Sequence, residues 1–248
     1  MLRPLRSRRR CSNSIAIFAS ATMLALLQLA ALPPALPLDS YHSALTTLKR
    51  PAFVEFEYTQ TRSGPHRIVT EQHRVYQTQD GQERNDTVMV NGTPVVPALS
   101  RILHRPVWPY DVAQFAASPD DYDFSRAAMA VVSGRKAFGF KLARKANADF
   151  MLTNLYLDAR RYLPLRETFA VTGSNCSGDG IINFGPASLF WLPTSVQVTC
   201  TAQVAAVPAI FKESIRFSNY RFPSAIPADV FVTGGSSNAG AGTQNITP

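Results

Sequence analysis

The chain has 248 residues, 46% of them hydrophobic, and a formal net charge of +8, which suits one ordinary folded domain and excludes a chain disordered throughout. Five of its 25 basic residues, Arg3, Arg6, Arg8, Arg9 and Arg10, lie in the first ten positions. From residue 38 onward 20 basic residues face 17 acidic ones, a surplus of +3, which argues against a nucleic acid or another polyanion as partner.

The first ten residues carry five Arg, Ile15 to Leu32 form an apolar run, and Pro33, Pro34 and Pro37 follow. This is the three-part layout of a secretory signal. The run is also at the lower limit for crossing a bilayer, so residues 1–37 are read as a signal peptide or an uncleaved membrane anchor. The expected location is the periplasm or cell envelope. Leu29-Ala30-Ala31-Leu32 resembles a lipoprotein cleavage box with Leu in place of the acylated Cys, so the protein itself is not expected to be lipidated.

Between Ser40 and Lys49, Tyr41, Ala44, Leu45 and Leu48 fall at helical spacing behind a Ser or Asp cap, which predicts a short amphipathic helix. After Pro51 the period changes to two. Val54, Phe56 and Tyr58 share one face of a strand over Phe53 to Arg62, with Glu55, Glu57 and Thr59 on the other. His66 to Gln79 and Gln82 to Val90 follow as strands around an Asp80-Gly81 turn, and Asn91-Gly92 marks the next turn.

Residues 94–119 carry Pro94, Pro97, Pro106, Pro109 and Pro119, which predicts an irregular excursion with one helical turn near Leu99 to His104 and no central strand. Strands are expected again at Tyr122 to Val132, Phe138 to Arg144, Phe150 to Asp158, Leu163 to Val171, Gly180 to Phe184, Ser195 to Gln203 and Phe211 to Phe222. So many short strands predict a large, curved antiparallel sheet, closed or nearly so. The tail from Gly234 has neither charge nor core-forming side chains, which is the composition of a disordered segment over residues 232–248.

Beyond the leader, Cys176 and Cys200 remain. An exported chain can bridge them, and position 188 between them lies in the Gly185-Pro186-Ala187-Ser188 turn, so a symmetric hairpin would set them face to face. Two buried free thiols are the alternative. No C-x-x-C is present, so a bridge would be structural. His42, His66, His73 and His104 fall in no catalytic motif, and His66 and His73 would face opposite sides of one strand. Asp120, Asp121 and Asp123 lack the frame of a calcium loop. No catalytic residue, metal site or cofactor is assigned.

The segment Val131-Val132-Ser133-Gly134, followed by Phe138-Gly139-Phe140-Lys141-Leu142, resembles a hairpin of the bacterial outer-membrane lipoprotein carriers and sorting proteins of the LolA and LolB type. Phe150 to Arg166 is similar to that superfamily's strand ending in Asp and returning through Leu-Pro-Leu-Arg. Ile181-Ile182-Asn183-Phe184, Trp191-Leu192-Pro193 and Phe217-Ser218-Asn219-Tyr220 resemble its closing strands. The resemblance spans roughly residues 40 to 231, within a domain placed at residues 38–231.

It implies a mainly β (α+β) fold, an incomplete β-barrel with a short N-terminal helix and an irregular loop over its concave face. It also implies a non-enzymatic protein that holds lipid or lipoprotein acyl chains in an apolar cavity. Candidate lining residues are Val54, Phe56, Tyr58, Phe138, Phe140, Leu142, Leu155, Leu157 and Phe169, which could equally pack on one another. An interaction or sensing module with an envelope protein partner, on the same scaffold with a filled interior, is the competing reading.

Overall fold

The computed structural model describes residues 35–105, 111–173, 176–204 and 207–232. The leader's apolar run and the tail after residue 232 lie outside them. One α-helix, α1 (Ala35–Thr46), precedes the sheet. It starts earlier than Ser40 because Pro37, lacking an N–H, fits the first turn where no donor is needed. No helix among the described residues is long and apolar enough to cross a membrane.

Twelve strands follow. The first four are β1 (Phe53–Ser63), β2 (Ile68–Thr78), β3 (Gln82–Val90) and β4 (Thr93–His104). The next four are β5 (Tyr122–Phe124), β6 (Ala128–Val132), β7 (Arg135–Arg144) and β8 (Phe150–Asp158). The last are β9 (Pro164–Gly173), β10 (Cys176–Ala187), β11 (Phe190–Val204) and β12 (Val207–Arg221). Short 3-10 turns occupy Val112–Phe115 and Ala228–Phe231.

The strands form one antiparallel sheet in the order β4-β3-β2-β1-β12-β11-β10-β9-β8-β7, with β5 and β6 both on the far side of β7. Its two edges do not pair with each other, so the barrel is incomplete. Neighbours in the sheet are neighbours in sequence except where β1 meets β12 and where β5 meets β7.

Three expectations about the strands are corrected. The proline-rich stretch of residues 94–119 is not irregular in its first part, since residues 93–104 form β4 and Leu99 to His104 is extended, whereas residues 111–119 lie outside any strand. Pro94 and Pro97 are tolerated because β4 is an edge strand, where a missing donor breaks no second ladder. The single strand expected over Tyr122 to Val132 is two, β5 and β6. Ser125 breaks it by donating its N–H to the Lys141 carbonyl and accepting the Lys141 N–H on its hydroxyl, both at 2.9 Å. His66 also lies in the turn before β2 rather than on the strand with His73.

Several residues that carried the family resemblance meet at the β8–β9 turn. Asp158 is buried, accepts the backbone N–H groups of Arg160 and Arg161 at 3.0 and 2.9 Å, and pairs with the Arg135 guanidinium at 2.7 Å. Trp191 Nε1 donates to the Pro164 carbonyl at 2.7 Å, and the Arg135 and Arg161 guanidinium groups lie over its ring. The motif residues thus brace one corner of the sheet.

Cys176 and Cys200 are bridged between β10 and β11, with Cα atoms 5.6 Å apart. They do not face each other squarely. The ladder steps at Asn183/Phe184, so Cys200 sits opposite Gly178 and the bridge runs diagonally to Cys176. A Cβ at Gly178 would meet the Thr199 carbonyl oxygen at 2.0 Å, so only glycine allows the backbones this approach.

Two predictions follow from these braces. Replacing both cysteines by Ala lowers unfolding free energy by about 3 kcal/mol, the loop-entropy contribution of such a bridge, as read from urea melts with and without reductant. Asp158→Ala costs about 2 kcal/mol by removing a buried acceptor that also neutralises Arg135, measured in the same melts.

Candidate functional site

The strand registers define one face across seven strands. Gln60 lies opposite Ile215, Ile215 opposite Val196, Val196 opposite Ile182, Ile182 opposite Glu167, Glu167 opposite Leu155, and Leu155 opposite Phe140. Directly opposed residues point to the same side of a sheet, so this row crosses the face from β1 to β7.

The nine candidate lining residues all lie on this face. Phe140 and Leu155 are in the row; Phe138 and Leu157 are the adjoining pair; Leu142, Phe169 and Tyr58 are two residues from row members; Phe56 and Val54 continue from Tyr58 along β1. The structure gathers them into two packed groups rather than one. Val54, Phe56 and Tyr58 cluster with Val75 and Phe217. Phe140, Leu155, Leu157 and Phe169 belong to the larger cluster, with Phe138 and Leu142 against it. Val196, in mid-row, packs against both.

The larger group is covered from outside the sheet. Tyr41, Leu45 and Leu48 from α1 and its end, and Val112, Phe115 and Ala117 from the β4–β5 connection, belong to or pack on the same cluster. That connection joins the two edges of the sheet, so it acts as a strap. Helix and strap are tied together: the Tyr41 hydroxyl accepts the Ala117 N–H at 3.2 Å, and Arg50 pairs with Asp111, which caps the 3-10 turn by accepting the Ala113 N–H at 3.0 Å.

Two polar features of this face were not singled out in the sequence. The first is Glu167, fully buried within the seven-strand row on β9, with no hydrogen-bond partner for either oxygen among the described residues. Leu165 and Phe169 flank it along β9, Leu155 and Ile182 across the sheet. Burial alone pushes its carboxyl well above the ordinary value of 4.5; the Tyr41 phenol is raised first by its own burial and then by the nearby Glu167. The signal was available, because the alternation Leu163, Leu165, Glu167, Phe169, Val171 puts Glu167 in the apolar phase.

The second is a network on β1–β3. The Tyr58 and His73 rings stack at 4.4 Å, His73 Nδ1 lies 2.9 Å from Asn85 Oδ1, and Asn85 Nδ2 donates to the Tyr58 hydroxyl at 2.9 Å. Burial lowers the His73 pKa, opposed by its contacts with Asn85 and Glu71. The network ties three strands through side chains, and no group of three or more His, Cys, Asp or Glu placed to hold a metal occurs among the described residues.

No family model matches the chain, and no curated protein does. Among solved structures, a DUF1329 family protein from Desulfovibrio piger matches with a TM-score of 0.44 and 11% identity, over 81% of this chain and 97% of its own. A domain named for outer-membrane lipoprotein sorting, from Vibrio parahaemolyticus, matches with a TM-score of 0.46 and 12% identity, over 78% and 95%. A LolA superfamily protein from Nitrosomonas europaea matches with a TM-score of 0.38 and 10% identity, over 82% and 99%. Likeness at this level says nothing of ligand or partner.

The buried acid sets a pH dependence. Burial raises the Glu167 pKa in the folded chain, whereas the unfolded chain keeps the ordinary value of 4.5. Stability from this group is therefore fully present below that value and falls as pH rises toward the folded-state pKa. Glu83, also raised by burial and partly offset by Arg105, acts in the same direction. Glu167→Gln is expected to shrink the loss of thermal stability between pH 4.5 and 7, with Glu83 leaving a remainder; paired melts of parent and variant at both pH values measure it.

Proposed function

We propose that this is an exported, non-enzymatic cell-envelope protein that holds the acyl chains of a lipid or lipoprotein against the concave face of its incomplete barrel. The observation that carries the reading is the face itself: one largely apolar surface spanning seven strands, covered by a twelve-residue helix and a strap instead of a second sheet. An acyl chain displacing that cover recovers about 0.8 kcal/mol per buried CH₂, so a moderate chain offsets the contacts α1 gives up. Val54, Phe56, Tyr58, Phe138, Phe140, Leu142, Leu155, Leu157 and Phe169 would line the opened groove, and the N-terminal segment would direct export.

A second reading, an envelope interaction or sensing module that binds a protein partner, is favoured by a different observation. Val54, Phe56, Tyr58, Phe140, Leu155, Leu157 and Phe169 are all under a tenth exposed, as in a filled interior.

Native mass spectrometry of the protein purified from its own envelope, followed by denaturing lipid extraction, separates the two. Stoichiometric phospholipid or lipidated peptide is the expected result, with the adduct lost or weakened in a folded Phe140→Leu variant. A clean apo mass under gentle conditions would sink the acyl-chain reading and leave the interaction module.

A further inference from the structure

We infer that Glu167 is the polar anchor of the binding face, a hydrogen-bonding post that receives an N–H donor, amide or amine, attached to the acyl chain of the ligand. This inference rests on the acyl-binding reading and specifies which acyl compounds the face takes.

The placement argues for it. In the cross-sheet row Glu167 is the one ionisable residue, set on β9 between Ile182 and Leu155. It is wholly inaccessible, enclosed by Leu155, Ile182, Leu165 and Phe169 beneath α1, and neither carboxyl oxygen has a partner among the described residues. A buried carboxyl without partners is destabilising, and an apolar residue of similar size would serve packing better. The most costly position on the face lies within the cluster that α1 covers, where a ligand displacing α1 would meet the sheet.

The chemistry selects the ligand group. No charged neighbour contributes to the shift of Glu167, whose one cause is burial. In its neutral form the acid offers an O–H donor beside its acceptor oxygen, so an amide, with an N–H and a carbonyl, can use both, whereas a fatty acid carboxylate or a phosphate can only accept and brings a negative charge with no cation to balance it. An N–H donor is complementary in either protonation state: an amide donates to the neutral acid's carbonyl oxygen, and an ammonium pairs with the carboxylate.

The test uses the full-length protein with four dodecyl probes of equal chain length: N-dodecylacetamide, dodecylamine, dodecyl acetate and dodecanoate, titrated calorimetrically. The parent is expected to bind the amide and the amine at least tenfold tighter than the ester or the carboxylate. Glu167→Leu should erase that preference while raising Tm by about 4 °C, because an unpartnered acid is replaced by packing. Glu167→Gln should keep the preference for the amide and lose that for the amine, which tells a hydrogen bond from a charge pair. If the parent binds all four probes alike, or the Leu variant keeps the preference, the anchor is refuted and the acyl-binding reading stands. If no probe binds the parent, both fall.

Discussion

A sheet that curls through twelve strands without closing leaves a concave apolar face that must be removed from water, and the rest of the structure depends on how that is done. A closed barrel would fill its interior from strands alone. Here the interior is completed by α1 and the β4–β5 strap, elements with little stability of their own. A helix of twelve residues is marginal in isolation, so α1 exists because Tyr41, Leu45 and their neighbours find the sheet.

The cover is held at few polar points. Tyr41 to Ala117 joins the helix to the strap and Arg50 to Asp111 joins the segment after the helix to it, while most of the remaining contact is apolar. Apolar contact has no preferred direction, so a second apolar surface can replace the first at modest cost. The sheet behaves differently. Its ladders, the diagonal disulfide and the Asp158–Arg135–Trp191 corner are directional, so the shape of the face does not rest on its cover.

Most of the sheet was legible because alternation is a strong signal wherever one face is buried. Phe53 to Ser63 and Phe150 to Asp158 show it plainly, and turn pairs such as Asp80-Gly81 and Asn91-Gly92 bracket the strands correctly. The misreadings have physical causes. β4 was hidden because prolines speak against a strand in general, whereas an edge strand has one ladder and tolerates them. The break at Ser125 depends on a side chain taking over a backbone bond, which no periodicity records. The diagonal course of the disulfide follows from a one-residue step at Asn183, invisible to counting from the turn. Within the site, apolar members were found by period, but Glu167 was passed over because attention went to what resembled the apolar lining instead of to the exception within it.

The pairing of β1 with β12 sets Glu57 against Ser218, so the centre of the sheet is assembled from the two ends of the domain. During synthesis β1–β4 can pair among themselves, and β5–β11 likewise, but each half ends in an unpaired inner strand until the last strand emerges. The completing strand is therefore the keystone in time as well as in space. The chain passes through a period with two long sticky edges, β1 and β11, which makes it a natural client for a holding chaperone and makes truncation near residue 207 far more damaging than its distance from the core would suggest.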